Sequence, residues 1–294
     1  MSSNSNLQTA KTDKNDEFYT LRSDIEKELI HYDLSGLTIH CPCDNPEHSE
    51  FFKYLHDNFQ KFNLKQLITT SYDSNIICSY NGRTETQLYT DYNGDFAVTI
   101  PVTASDMIIT NPPFSLFRDF INLLVKYQKY FLCIGALNGV KYKDIFPLIK
   151  EGKIWLGANH GTFNFKVPDN SNRNNVFITP NGERLAKFGN IVWYTNYPNS
   201  SYRRPDLTLQ NKTKNDYNVY DTYDAIDVPK VKDIPDLSTP MGVPITFLQY
   251  HNPEQFEIIG ELNHGCDNQY DFAKPIVQGK ELFPRVIIKK AGIL

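Results

Sequence analysis

Asn111-Pro112-Pro113-Phe114 is the stretch of this chain whose residue types and placement could do chemistry. It follows the apolar run Met107-Ile-Ile-Thr110. It precedes a helical pattern from about Ser115, in which Phe117, Phe120, Ile121, Leu124 and Val125 are spaced for one buried face. In an open parallel sheet, ligands sit beyond the carboxyl ends of the strands, so the tetrapeptide occupies the place where such folds react. The Asn111 side-chain oxygen and the Pro112 backbone oxygen can both accept from a planar amino group. Neither proline has an amide hydrogen to interfere, and their fixed φ holds the carbonyls in place. Phe114 offers a face for a planar base or amide. Two acceptors on the two hydrogens of an amine build electron density on nitrogen without a strong base. The competing reading is a strand-to-helix turn with Phe114 in the core.

Two further places supply polar groups. Asp95 and Phe96, after Asn93-Gly94, put an acid beside an aromatic ring; the same residues also read as a hairpin turn followed by a core phenylalanine. Cys43-Asp44-Asn45-Pro46 lies between a β-prone run and the helix that Ser49 opens. A carboxylate at a strand end, facing a helix N-terminus, suits an ammonium or a ribose, and equally suits a helix-entry cap.

The elements that must position these residues alternate. Ser23-Asp-Ile-Glu26 has the form of a capping box for a short helix to about Ile30. Leu37–Cys41 reads as a strand, and Phe51, Phe52, Leu55, Phe59 and Phe62 as an apolar helical stripe. Leu67–Thr70, Met107–Thr110 and Tyr130–Gly135 read as further strands, with Asn81-Gly82 and Asn93-Gly94 as turns. Continuous apolar strands alternating with amphipathic helices predict an α/β fold with a doubly wound, mostly parallel sheet. Past Ile149 the pattern turns irregular. Candidate strands there are 153–156, 162–167, 175–179, 190–195, 245–249, 256–260 and 285–289, with a polar, Tyr-rich stretch over 196–240. We therefore expect a disordered tail over 1–15, a core over 16–150, and remaining core strands plus a recognition region over 151–294.

The chain has 294 residues and a formal net charge of −4, all of it in the first 150 residues. Neither half is a basic domain, so polyanion binding would require the cations to be segregated onto one face. Five cysteines, an odd number, fit a reducing cytoplasm better than a secreted disulfide framework. His40, Cys41, Cys43 and His48 lack the spacing of a zinc site, so no metal is expected. No apolar run has the length of a membrane span.

The chain resembles the EcoRI-type adenine-specific DNA methyltransferases. The resemblance rests on Asp16-Glu-Phe-Tyr-Thr20 with Asp24-Ile-Glu-Lys-Glu-Leu29, on Cys43-Asp44-Asn-Pro46 with Ser49, and on Asp106 through Arg118 around the Asn-Pro-Pro-Phe stretch. Ile145 through Gly157, Gly189 through Trp193, Tyr223 through Ile226 and Met241 through Phe247 extend it to most of the chain. It implies a Rossmann-like fold and transfer of a methyl group from S-adenosylmethionine to the exocyclic amine of a flipped adenine in a specific double-stranded DNA sequence. It also implies that Asn111, Pro112, Pro113 and Phe114 are catalytic and that Phe18, Tyr19 and Thr20 close over the methionine part of the cofactor. Cys43, Asp44, Pro46, Asp73, Asp95 and Phe96 would complete the cofactor site. Phe18 and Tyr19 also read as a hydrophobic staple before the first helix. One departure is plain: no Gly-rich loop follows the first strand.

Sequence recognition would fall to the irregular second half, where Arg203, Arg204, Lys212 and Lys214 lie among Asn and Tyr residues. A restriction endonuclease acting at the same site is the partner this family implies. Two alternatives stay open at this level: the same chemistry on an RNA adenine or a protein glutamine, and a non-catalytic DNA- or nucleotide-binding protein.

Overall fold

A computed structural model describes residues 18–70, 76–89, 104–169, 171, 174–263 and 268–292. The expected tail over 1–15 lies outside them, as do Asp73, Asp95 and Phe96. The chain forms two compact units, Met1–Ala136 with Leu156–Tyr202 and Leu137–Trp155 with Arg203–Leu294.

The first unit is mixed α/β. In chain order it contains β1 (Tyr19–Thr20), α1 (Arg22–Leu29), β2 (Thr38–Cys41), α2 (Glu50–Asp57), β3 (Gln66–Thr70), β4 (Ile76–Tyr80) and β5 (Glu85–Tyr89). β6 (Met107–Thr110), α3 (Phe117–Lys126) and β7 (Tyr130–Ala136) follow. α4 (Phe146–Lys150) belongs to the second unit. β8 (Trp155–Lys166), β9 (Val176–Ile178) and β10 (Arg184–Thr195) then return to the first. The sheet order is β1-β8-β10-β7-β6-β2-β3-β4-β5, with β9 on β10. β3, β2, β6 and β7 pair parallel; β4 joins β3, β5 joins β4, β10 joins β7 and β1 joins β8, all antiparallel.

The parallel strands are buried on both faces, as their apolar runs require. Ile39, Met107, Ile109, Leu132 and Ile134 share a core with Ile25 and Leu29 of α1 and Phe51 and Leu55 of α2. Gly135, one position out of phase with Ile134, meets the ring of Phe117 from α3, so α3 lies on the opposite face. The bare Gly135 backbone is what lets that ring approach. The Asn81-Gly82 turn forms as expected. The Asn81 carboxamide oxygen accepts from the amides of Arg83 and Thr84 at 3.0 and 2.8 Å, and Gly82 takes φ +85°.

α1 does not begin at a capping box. β1 pairing carries extended backbone as far as Leu21, so the helix starts at Arg22 with Leu21 as a cap that lends no side chain, and Ser23 falls inside it. What anchors α1 is Glu28. It is fully buried and accepts from Tyr32 Oη at 2.7 Å and from the backbone amides of Ala158 and Asn159 at 3.0 and 2.6 Å.

The second unit carries β11 (Ile226–Asp227), β12 (Met241–Pro244), β13 (Phe256–Leu262), β14 (Asp271–Ala273), β15 (Ile276–Val277), β16 (Lys280–Glu281) and β17 (Arg285–Lys290). Its sheet runs β11-β12-β17-β13-β14, and β15 pairs with β16. The strand expected over 245–249 is a 3-10 turn instead. The ladder with β17 is filled by Met241–Pro244, and Pro244 ends it. The chain then coils to bury Phe247, Leu248 and Gln249 in succession, which strand alternation would not allow. Among the described residues, no helix is long and apolar enough to cross a membrane.

Candidate active site

Three loops meet at the carboxyl ends of β2 and β6 and enclose one cavity. The loop after β2 supplies Cys43, Asp44 and Asn45, the loop after β6 supplies Asn111, Pro112 and Pro113, and the N-terminal strand supplies Phe18, Tyr19 and Thr20.

Asp44 is buried, and both of its oxygens are engaged. Oδ1 accepts from Ser49 Oγ at 2.6 Å, and Oδ2 accepts from Thr110 Oγ1 at 2.8 Å. Ser49 also accepts from the amides of Phe51 and Phe52 at 3.1 and 3.3 Å, so it caps α2 as its sequence position indicated. Burial pushes the Asp44 carboxyl up to about 6, against the two hydroxyl hydrogen bonds that favour its charged form. Thr69 and Thr70 at the end of β3 hold the loop from below. Thr69 donates to the carbonyls of Cys41 and Asp44, and Thr70 to that of Pro42. His40 meets Thr70 Oγ1 at 3.0 Å, and burial lowers its pKa to about 3, leaving it neutral.

Asn111 stands just beyond β6. Its Nδ2 donates to the Phe18 carbonyl at 2.8 Å, while its Oδ1 is buried without a hydrogen-bond partner among the described residues. Oγ1 of Thr20, another cavity-lining residue, is likewise buried and without a partner among the described residues. A buried polar atom without a partner is costly, and these two belong to cavity-lining residues, where a ligand's hydrogen-bonding groups could complete them.

The N-terminal segment reaches this site by sheet pairing. Tyr19 is opposite Lys166 and Thr20 opposite Phe165 on β8. Phe18 packs among Phe114, Phe165 and Phe188, with centroids 5.5, 5.9 and 4.7 Å away. The Phe18 and Phe114 rings are tilted 30° to each other.

The structure thus brings together Phe18, Tyr19, Thr20, Cys43, Asp44, Asn111, Pro112 and Pro113 around one cavity. Phe114 is half-buried in the aromatic cluster, and Pro46 is buried within the loop after β2; neither lines the cavity. Asp73, Asp95 and Phe96 cannot be placed, since they lie outside the described residues. Arg203, Arg204, Lys212 and Lys214 belong to the second unit. Lys212 and Lys214 are exposed; Lys212 lies over the Tyr217 ring at 5.5 Å and Lys214 is 3.7 Å from Asp224. His48, weighed in the sequence only as a metal ligand, and Glu50 also line the cavity, and Thr110, absent from the expected site, binds Asp44. The signal for Thr110 was available: it ends an otherwise apolar strand, directly before Asn111.

The family model described as adenine-specific methyltransferase EcoRI matches residues 6–94 and 85–290, so the chain is an adenine-specific DNA methyltransferase. Among relatives, it is 39% identical over 317 residues to Type II methyltransferase M.EcoRI of Escherichia coli, covering 96% of this chain and 95% of that protein. Identity to Type II methyltransferase M.MpnI of Mycoplasma pneumoniae is 35% over 312 residues, covering 96% and 97%. The chain belongs to the EcoRI adenine-specific methyltransferase family. No solved structure matches it.

Proposed function

We propose that the cavity binds S-adenosylmethionine and that its methyl group passes to the exocyclic N6 amine of an adenine flipped out of double-stranded DNA, within a specific sequence. The observation that carries this reading is the buried, unpartnered Oδ1 of Asn111, an acceptor on a cavity-lining residue with no donor among the described residues.

The residues present fit this cofactor. Its net charge is positive, and the buried Asp44 carboxylate has hydroxyl partners and no cationic one among the described cavity-lining residues. Asp44 would hold the charged methionine end, with Cys43 and Pro46 shaping its loop, and Phe18, Tyr19 and Thr20 would cover it. Asp73, Asp95 and Phe96 are assigned to the ribose and the adenine ring on the family resemblance. S-adenosylmethionine supplies an activated methyl group. The chain's own residues prepare the acceptor: Asn111 Oδ1 and the Pro112 carbonyl would accept hydrogen bonds from the two amine hydrogens, leaving the nitrogen lone pair to form the new N–C bond by direct displacement as the S–C bond breaks. The sulfur leaves as a neutral thioether, and the methylated nitrogen then loses one proton to solvent. The fixed positions of the two acceptors stabilise the charge that develops on nitrogen. Pro113 keeps the loop free of competing donors, and Phe114 stacks on the flipped base.

α2 and α3 on opposite faces of the parallel strands support a doubly wound, Rossmann-like reading of the fold. Recognition of the DNA sequence is assigned to the second unit, through Arg203, Arg204, Lys212 and Lys214. The Type II relatives support a place in a restriction-modification system, with a cognate endonuclease at the same site and a cytoplasmic location. Incubation with methyl-labelled cofactor and separate DNA, RNA and protein fractions tests the acceptor class. Label confined to DNA is expected, and label in RNA or protein would refute the assignment.

A further inference from the structure

The Phe18 carbonyl and the Asn111 carboxamide are 93 positions apart in sequence and share a 2.8 Å hydrogen bond. A carboxamide has one donor end and one acceptor end, and a carbonyl can only accept. The contact therefore decides which way Asn111 faces: Nδ2 toward Phe18, with Oδ1 on the opposite side of the carboxamide, buried and without a partner among the described residues. A flipped amide would set two oxygens against each other and point a donor at the amine it must receive. The carbonyl is itself held on two sides, by the pairing of Tyr19 and Thr20 with β8 and by the Phe18 ring among Phe114, Phe165 and Phe188.

We infer that Phe18 is a positioning residue whose backbone carbonyl selects asparagine over aspartate at position 111 and fixes its acceptor toward the substrate amine. The inference rests on the proposed role of Asn111. It has a consequence opposite to simple acceptor strength. An aspartate would accept from an amine more strongly than an amide, yet its second oxygen would face the Phe18 carbonyl at hydrogen-bond distance. Only the protonated carboxyl could donate to Phe18 and still present an acceptor. The titratable groups around the same cavity are Tyr19, Cys43, Asp44, His48 and Glu50, and its described lining holds no lysine or arginine to favour the anion.

The test is Asn111→Asp in the full-length protein, assayed with S-adenosylmethionine and DNA from a methylation-deficient host across pH. The wild-type rate at each pH serves as divisor, so that shared titrations cancel. At pH 8 the variant should be about a hundredfold slower. The variant-to-wild-type ratio should then rise by about tenfold per unit as pH falls, until the carboxyl is protonated. A flat ratio, whether near one or uniformly low, overturns the inference. Asn111→Ala separates this from failure of the functional reading. If Asn111→Ala turns over like wild type, Asn111 is not the amine acceptor at all. If Asn111→Ala is inactive while Asn111→Asp is fully active at pH 8, the acceptor role stands and the Phe18 selection falls. Should Asn111→Asp not fold, Phe18→Gly and Phe18→Leu give a second reading at saturating cofactor. Freeing the backbone in Phe18→Gly should lower kcat by about tenfold or more, with most of it restored in Phe18→Leu. A wild-type kcat in Phe18→Gly overturns the inference.

Discussion

Thr110 Oγ1 donates to Asp44 Oδ2 at 2.8 Å, which ties the carboxylate at the end of β2 to the residue directly before Asn111. The proposed cofactor site and the proposed base site are therefore joined by one buried hydroxyl. Thr110→Val keeps the shape and deletes the donor. It should lower stability by about 1–3 kcal/mol, as expected when a buried acceptor loses its partner. Cofactor affinity and kcat should fall together, and Thr110→Ser should recover both. Denaturant melts and calorimetry measure the first two, and equal behaviour of the Val and Ser variants would show that the hydroxyl does nothing.

Asp44 sets a pH dependence. Burial is the largest influence on its carboxyl, raising it from 3.8 to about 6 without ligand. A cationic cofactor favours the ionised form, so affinity should strengthen as pH rises through about 6 and level off above it. For the ligand-free fold the sign is reversed. The folded value lies above the unfolded one, so the stability contributed by this group is fully present below about 3.8 and is lost as pH rises through about 6. Asp44→Asn should flatten both profiles and weaken cofactor binding. Calorimetric titration across pH 5 to 8, roughly the span over which such a group changes charge, is the check.

Gly157 is needed for packing. A Cβ there would collide with Glu28 Oε1 and lie 2.7 Å from the Trp193 Cβ. Glu28 cannot retreat, because it is fully buried and holds the amides of Ala158 and Asn159. Gly157→Ala should therefore cost about 1–3 kcal/mol of folding stability. Unaltered urea midpoints would contradict this packing.

Charge reversal at Arg203 and Arg204 tests the assignment of DNA binding to the second unit. The double variant Arg203→Glu, Arg204→Glu should weaken DNA binding and reduce the slope of log affinity against log salt by about one for each phosphate that is no longer neutralised. Cofactor binding should not change. An unaltered affinity and salt slope would remove these two residues from the interface.

The sequence made local features legible and left distant pairings hidden. Met107–Thr110, the Asn-Pro-Pro loop, the Ser49 cap and the Asn81-Gly82 turn could all be read because each depends on residues within a few positions. The addition of Tyr19 and Thr20 to β8, and with it the hydrogen bond from Asn111 to Phe18, could not, since no local pattern encodes which sheet edge a two-residue strand will find. The same limit explains the two misreadings. Ser23 has the spacing of a cap, but strand pairing puts the helix start at Arg22; 245–249 has the composition of a strand, but β12 fills the place beside β17.

The most direct measurement is nucleoside analysis of DNA treated with S-adenosylmethionine and either wild-type protein or Asn111→Ala. The account predicts N6-methyladenine as the product of the wild type. It predicts at least about a hundredfold less from Asn111→Ala at unchanged cofactor affinity. Methylation of another base by the wild type, or a wild-type yield of N6-methyladenine from Asn111→Ala, would contradict it.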